Sequence, residues 1–419
     1  MSPAELSIVF FGQLCLIVAA ARGVGWLCRR FLGQPQVVGE MIAGVVLGPS
    51  LFGLLLPDLQ GAVFPVEARG ILFVGAQLGV GLYMFLVGLG FDRAHFRSNA
   101  KSAGAVSLSG MAVPFLLAAL LAPWLMSMEL FSPDLGTFQA TLFLGACIAI
   151  TAFPMLARII HERGLSRSPL GSLSLSAGAI DDAAAWIVLA IVLATFSGDS
   201  GVAVKAIAGA VGFAVLVLGP GRRLLRPLGE RAERGGVDQG LLAIVLMAFL
   251  GSAFLMDWAG MHAVFGGFLL GIAMPRGRLA AELRQKLEPI TVVLLLPMFF
   301  TFSGLNTKLD LLADPALLGV AAVLLAASIF AKFGACWAAA RLTGQDNDTA
   351  LGIGALMNAR GLMELIILNI GLQKGIIGPE FFSIMVLMAV VTTLMASPLF
   401  EAVYGRKARA RGELGALPG

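Results

Sequence analysis

The chain has 419 residues, of which 58% are hydrophobic and only 13% are charged. Glycine is abundant at 52 residues, and together with the apolar content this is typical of packed transmembrane helices. The formal net charge of +4 comes from basic residues in short loops, which favours membrane topology over nucleic-acid binding. The composition therefore predicts an all-α, polytopic protein of the lipid bilayer without a soluble catalytic domain.

Apolar runs of roughly 17–28 residues predict thirteen transmembrane spans. They cover approximately residues 5–28, 35–55, 68–90, 98–126, 137–162, 169–197, 201–219, 237–257, 260–275, 285–304, 315–342, 347–373 and 379–404. Lys and Arg concentrate in alternate loops, which predicts an outer N-terminus and an inner C-terminus. Residues 405–419 then form a short basic cytoplasmic tail after the membrane domain of residues 1–404.

The odd number of spans allows an inverted repeat of six spans in each half, joined by span seven. Gly44 and Gly48 in span two have the same spacing as Gly267 and Gly271 in span nine. Small residues at this spacing also serve ordinary helix crossings, so the echo by itself is weak.

Spans five and twelve each contain an interruption near the centre. Span five has Thr151 shortly before Pro154, and span twelve has Asn358 and Arg360 directly before Gly361. Proline and glycine free backbone groups, which in a membrane must face protein or a water-filled cavity. Two such interruptions at equivalent places predict a binding site near the bilayer midplane.

Span six carries two adjacent acids, Asp181 and Asp182, near its middle. A carboxylate there costs about 2.5–3.5 kcal/mol on insertion scales, so the pair indicates a place where a proton or a metal cation binds and leaves. Adjacent helical residues point about 100° apart, so the two acids need not share one role. Thr151 and the carbonyls freed beside it offer oxygen ligands of the kind that hard cations prefer.

Two basic residues remain inside the predicted membrane region, Lys332 in span eleven and Arg360 in span twelve. A nearby cation favours the ionised form of a buried carboxylate, so we expect both residues to compensate charge. Glu364 lies one helical turn after Arg360, which favours a structural ion pair between them.

With these residues the chain resembles monovalent cation:proton antiporters of the branch that includes Kef-type, Nap-type and plant cation/proton exchangers. The resemblance rests on four segments: Gln34–Ser50, Thr151–Arg158, the Asp181–Asp182 pair, and Met357–Leu365. It implies that Asp182 binds the ion and the proton, with Asp181 as its partner. It also implies that Lys332 pairs with Asp181, as a basic residue does in some relatives.

The same resemblance implies a dimerising scaffold, approximately residues 5–90 and 237–304, and a mobile core, approximately residues 98–197 and 315–404. Within the core, two broken helices cross at the centre. The expected assembly is a homodimer in the cell membrane, and the transported Na⁺ or K⁺ and H⁺ take the place of any cofactor.

The sequence therefore predicts a secondary antiporter that exchanges a monovalent cation for protons by elevator-like alternating access. A sodium-coupled organic anion symporter, with Arg360 on the substrate carboxylate, remains an alternative, as does a non-transporting membrane sensor. An enzyme is disfavoured, because intramembrane aspartyl proteases need their aspartates on separate helices and these two are neighbours on one.

Overall fold

The computed structural model describes residues 1–32, 34, 36–90, 100–165, 168–196, 200–259, 263–308, 314–360, 362–405 and 408–409. Nearly all of these residues are helical, and the extended pairing found among them is one isolated bridge between Phe131 and Ile377. The structure therefore confirms the predicted all-α architecture.

The helices are numbered in chain order. They are α1 (Pro3–Leu32), α2 (Gln36–Leu47), α3 (Pro57–Val63), α4 (Val66–Gly90), α5 (Ala100–Ser127), α6 (Thr137–Ala149), α7 (Phe153–Glu162), α8 (Pro169–Phe196), α9 (Ser200–Leu218), α10 (Pro220–Gly235), α11 (Gln239–Trp258), α12 (Ala263–Ala273), α13 (Arg278–Ile290), α14 (Leu296–Leu305), α15 (Pro315–Leu342), α16 (Asn347–Leu356), α17 (Leu362–Gln373) and α18 (Pro379–Phe400). Short π-helical segments lie at Pro49–Gly53, Thr291–Leu295 and Glu401–Gly405.

Within the described ranges, seven helical stretches are long and apolar enough to cross a bilayer, and the number is eight if the bent pair Ala208–Leu218 and Pro220–Gly235 forms one span. The seven are Pro3–Leu32, Val66–Gly90, Lys101–Ser127, Gln239–Trp258, Arg278–Leu305, Pro315–Leu342 and Pro379–Gly405. Shorter apolar helices such as α6 fall below the roughly 20 residues that a full span needs. The protein is thus a polytopic helical membrane protein.

The chain divides into two compact units. The first contains Met1–Ala21, Leu55–Asp92 and Leu193–Phe302, and the second contains Arg22–Leu54, Arg93–Val192 and Ser303–Gly419. The described residues predicted for the ion site all belong to the second unit. The functional division into scaffold and mobile core concerns movement rather than packing, and it stays a prediction.

In the first unit, α4 and α12 cross at glycine contacts. A Cβ on Gly88 would collide with the carbonyl oxygen of Phe268, and one on Gly271 would collide with that of Phe85. Because glycine lacks the Cβ, the two backbones approach closely enough for dispersion forces to hold the helices together in lipid.

The second unit contains a similar close approach between the end of α2 and the end of α14. A Cβ on Gly304 would overlap the carbonyl of Gly44, and one on Gly48 would overlap the carbonyl of Gly304. The glycines that the sequence analysis singled out in spans two and nine therefore each lie at a tight helix crossing.

Candidate ion-binding site

The first interruption separates α6 from α7. Helix α6 ends at Ala149, and its C-cap Ile150 has an extended backbone with φ −75° and ψ 130°. Thr151 and Ala152 continue without helical structure before α7 begins at Phe153. Pro154 is the second residue of α7, where a missing N–H costs nothing because that group has no partner in a helix anyway. The side chain of Pro154 lies outside the described part of the structure.

The second interruption separates α16 from α17. Helix α16 ends at Leu356, and the residues from Met357 to Arg360 precede α17, which begins at Leu362. Asn358 is fully buried and Arg360 is only 1% exposed. Gly361, which the sequence analysis placed in this break, lies outside the described residues.

The two interruptions bind each other. The backbone N–H of Ala152 donates to the carbonyl of Ala359 at 3.0 Å, and the hydroxyl of Thr151 donates to the carbonyl of Met357 at 2.9 Å. Backbone groups freed by a broken helix need such partners, because lipid offers none. Each break therefore stabilises the other, and this contact between residues 151–152 and 357–359 is called the crossing from here on.

Two buried cations cap the C-terminal end of α6. The guanidinium of Arg360 donates to the carbonyls of Cys147 at 2.7 Å and Ile148 at 2.6 Å, and the Lys332 ammonium donates to the carbonyl of Ala149. The last carbonyls of a helix have no partner within the helix and carry its partial negative charge. This end of α6 therefore stabilises two charges that would otherwise be costly to bury.

Asp181 lies between Lys332 and a serine. One carboxylate oxygen, Oδ2, accepts from the Lys332 ammonium at 2.8 Å, and the other, Oδ1, accepts from the Ser107 hydroxyl at 2.5 Å. Asp181 is fully buried, and Lys332 and Ser107 are each 1% exposed. Both oxygens of Asp181 are thus engaged by protein donors.

Glu364 and Arg360 form a longer contact, with 3.7 Å between Oε2 and Nη1 and with both side chains only 1% exposed. The Glu364 oxygens accept no hydrogen bond within the described part of the chain. Arg360 instead gives its short hydrogen bonds to the carbonyls of α6 and to the hydroxyl of Ser328. The i,i+4 spacing thus brings these two charges together, but the main partners of Arg360 lie elsewhere.

Asn358 supplies an unused oxygen at the crossing. Its amide nitrogen donates to the carbonyl of Gly354 at 2.9 Å, which satisfies one carbonyl in the last turn of α16. Its Oδ1 is buried and has no hydrogen-bond donor among the described residues. A buried amide oxygen without a donor is a suitable ligand for a hard cation.

The structure brings several predicted site residues together, and it does not describe the side chain of Asp182. Asp181 meets Lys332, Arg360 meets Glu364, and Thr151 contacts the segment that contains Asn358. Asp182 follows Asp181 in α8, but its side chain lies outside the described part, so the cation site predicted at Asp182 and Thr151 remains a prediction.

Sequence reasoning missed three hydroxyl groups that hold the charged residues. Ser107 binds Asp181, Ser328 binds Arg360, and the Thr393 hydroxyl donates to the carbonyl of Arg360 at 2.8 Å. Serine and threonine are common in transmembrane helices, where they often bond to their own backbone. Their identity alone therefore gave no signal.

Comparison with known proteins places this chain in a family. A family model described as "Sodium/hydrogen exchanger, transmembrane" matches residues 17–403. The Na⁺/H⁺ antiporter NhaS4 of Synechocystis is 38% identical over 401 residues, which make up 95% of this chain and 97% of that protein.

Two eukaryotic relatives are longer. Cation/H⁺ antiporter 17 of Arabidopsis thaliana is 34% identical over 94% of this chain and 48% of its own length. K⁺/H⁺ antiporter 1 of Saccharomyces cerevisiae is 31% identical over 94% of this chain and 46% of its own length. The chain thus spans about half the length of these two relatives. The chain belongs to the sodium/hydrogen exchanger family and is a multi-pass membrane transporter, not an enzyme.

Proposed function

We propose that the protein exchanges a monovalent cation, Na⁺ or K⁺, for protons across the cell membrane. The observation that carries this proposal is the crossing of two interrupted helices beside the buried Asp181–Lys332 pair. A crossing of this kind collects charges, the carbonyls at a helix end and an unused amide oxygen in one buried place. Relatives named as Na⁺/H⁺ and K⁺/H⁺ antiporters support exchange of a monovalent cation, and the choice between Na⁺ and K⁺ stays open.

Asp182 is the carboxylate that we assign to the cargo. Both oxygens of Asp181 are held by Lys332 and Ser107, so Asp181 is not free to receive an ion without losing a partner. Asp182 is the next residue of α8, about 100° further around the helix axis. In this proposal Thr151 and Asn358 supply further oxygen ligands.

Exchange follows from competition for one negative charge. A buried carboxylate can be neutralised by a proton or by a cation, but the site cannot hold both charges stably. The mobile core moves only when the charge of this carboxylate is neutralised. A core that carries a cation in one direction therefore carries protons in the other. The predicted scaffold, approximately residues 5–90 and 237–304, would hold the dimer while the core carries the site.

The proposed topology has thirteen spans in two inverted repeats, with the N-terminus outside and the C-terminus inside. The glycine contacts support the repeat. Span two meets span ten through Gly48 and Gly304, and span nine meets span three through Gly271 and Gly88. Because spans nine and ten of the second half correspond to spans two and three of the first, one contact becomes the other when the halves are exchanged.

Arg360 favours exchange over the symport of an organic anion. A symporter of that kind would use Arg360 to bind the carboxylate of its substrate. In the structure the guanidinium donates instead to Cys147, Ile148 and Ser328. Binding a substrate would require Arg360 to leave the carbonyls of Cys147 and Ile148 without this donor. That loss costs about 1–3 kcal/mol for each buried group.

Purified protein in proteoliposomes tests the proposal. A cation gradient should drive proton movement in the wild type, and Asp182→Asn should abolish it, because asparagine neither binds a proton nor balances a cation. Asp134→Asn, at an exposed acid in the turn between α5 and α6, is the matched control and should exchange like the wild type. Retained exchange in Asp182→Asn would overturn the assignment, and failure of the wild type with Li⁺, Na⁺, K⁺ and Rb⁺ alike would favour a sensor.

A further inference from the structure

Ser107 makes the second contact of Asp181, and no motif in the sequence marks it. It lies in the first third of α5, and its hydroxyl is 2.5 Å from Asp181 Oδ1. The group is 1% exposed, so water does not compete for this bond. A hydrogen bond to an ionised group in such a place is among the stronger ones in proteins.

One face of α5 is shaped around the ion pair. Gly110, one turn after Ser107, has no side chain where a Cβ would lie 2.7 Å from Cys336 Sγ and 3.5 Å from Lys332 Nζ. The carbonyl of Val106 faces the Cys336 thiol at 3.8 Å. Residues 106, 107 and 110 therefore pack against the Asp181–Lys332 pair and its neighbour Cys336.

The groups that face Asp181 come from three neighbouring helices. Helix α15 contributes Lys332 and the Cys336 thiol, and α6 contributes its C-terminal end, where Ala149 accepts from Lys332. Helix α5 contributes only a hydroxyl among the described groups, so its donor persists whatever the pH. On α8 itself the neighbouring acid is Asp182, whose side chain is outside the described part.

We propose that Ser107 is a positioning residue. It holds Asp181 in one orientation and still donates to its carboxylate when the bond between Lys332 and Asp181 breaks. This inference rests on the proposed exchange function. If cargo binding loosens the Asp181–Lys332 pair, Asp181 loses the donor on Oδ2. The hydroxyl on Oδ1 then limits the cost of that step and keeps the carboxylate from turning away.

Three variants of the full-length protein test the role in transport. Ser107→Ala removes the donor, Ser107→Thr keeps it, and Ser174→Ala is the matched control, since Ser174 is a fully buried serine of α8 whose hydroxyl makes no hydrogen bond within the described residues. Without the Ser107 hydroxyl, loosening the Asp181–Lys332 pair costs more, so binding of the cation should weaken. The cation-concentration profile of exchange, measured at one pH, should therefore shift to about tenfold higher concentration in Ser107→Ala.

The other two variants should keep the wild-type profile. An unchanged profile in Ser107→Ala would overturn the proposal. So would a shift of equal size in Ser174→Ala, because that would reflect a general loss of packing.

A thermal double-mutant cycle gives a second readout that does not depend on transport. Ser107→Ala should lower the melting temperature of the purified protein in an otherwise wild-type background, and by less than half as much in Asp181→Asn, because a bond to a neutral amide is weaker. Equal losses in both backgrounds would overturn the proposal. If no variant exchanges any cation but the cycle shows coupling, the proposed function fails while the positioning role stands.

Discussion

Replacement of Lys332 by methionine removes a buried cation and leaves its two partners without it. Asp181 then retains only the hydroxyl of Ser107, and the carbonyl of Ala149 at the end of α6 loses its described donor. Methionine resembles the lysine stem in length, so the change isolates the charge more than the volume. We expect the variant to be less stable than the wild type.

The size of the loss follows from the burial of the pair. Lys332 and Asp181 are 1% and 0% exposed, and breaking such a pair by removing one partner costs about 3–5 kcal/mol. The unfolding entropy of globular proteins is about 2.1 cal/mol/K per residue, so a chain of this length loses on the order of 5 °C in melting temperature. Lys332→Met combined with Asp181→Asn removes both charges and should recover at least half of that loss.

Thermal unfolding of the purified protein in one detergent, followed by intrinsic fluorescence, measures these differences. Lys374→Met is the matched control, because Lys374 is exposed and should tolerate the change. The reasoning fails if Lys332→Met melts within 1 °C of the wild type, or if the double variant is less stable than the single one. Either result would mean that the ion pair does not set the stability of this region.

Two further substitutions probe the packing around the crossing. Thr151→Val removes the hydroxyl that binds the carbonyl of Met357 and should cost about 1–3 kcal/mol, measured as a lower melting temperature that Thr151→Ser restores. Gly110→Ala should destabilise by about 1–3 kcal/mol because the new methyl group meets Cys336 Sγ, and Cys336→Ala in the same chain should recover most of it. A Cys336→Ala variant that made Gly110→Ala worse would contradict the steric reading.

The interruptions were predictable because local chemistry causes them. Proline removes a backbone donor and is disfavoured inside a helix, and the segment before Pro154 does leave helical geometry. Polar and charged residues at the midplane also stand out in an apolar sequence, since each one carries a large cost in lipid. Such features depend on a few neighbouring residues, and a single sequence displays them directly.

The partners of these residues were not predictable in the same way. The spacing of Arg360 and Glu364 along one helix predicted that they pair, yet the short contacts of Arg360 are with the end of α6. These carbonyls belong to a different segment of the chain, and only the contact between the two breaks brings them next to Arg360. Ser107 was missed for the same reason, because its partner lies 74 residues further along the chain.

A count of formal charges connects these contacts with transport. Around the crossing, the cations Lys332 and Arg360 balance the acids Asp181 and Glu364 when all four are ionised. In the proposed mechanism Asp182 adds one negative charge that this set does not match, and an unmatched charge in a buried place is costly. Binding of a proton or a cation removes that cost, so we expect Asp182 to hold one of the two whenever it is buried. The Lys332→Met and Asp181→Asn double variant removes one charge of each sign and leaves the count unchanged, which is the electrostatic reason to expect that it folds better than the single Lys332→Met variant.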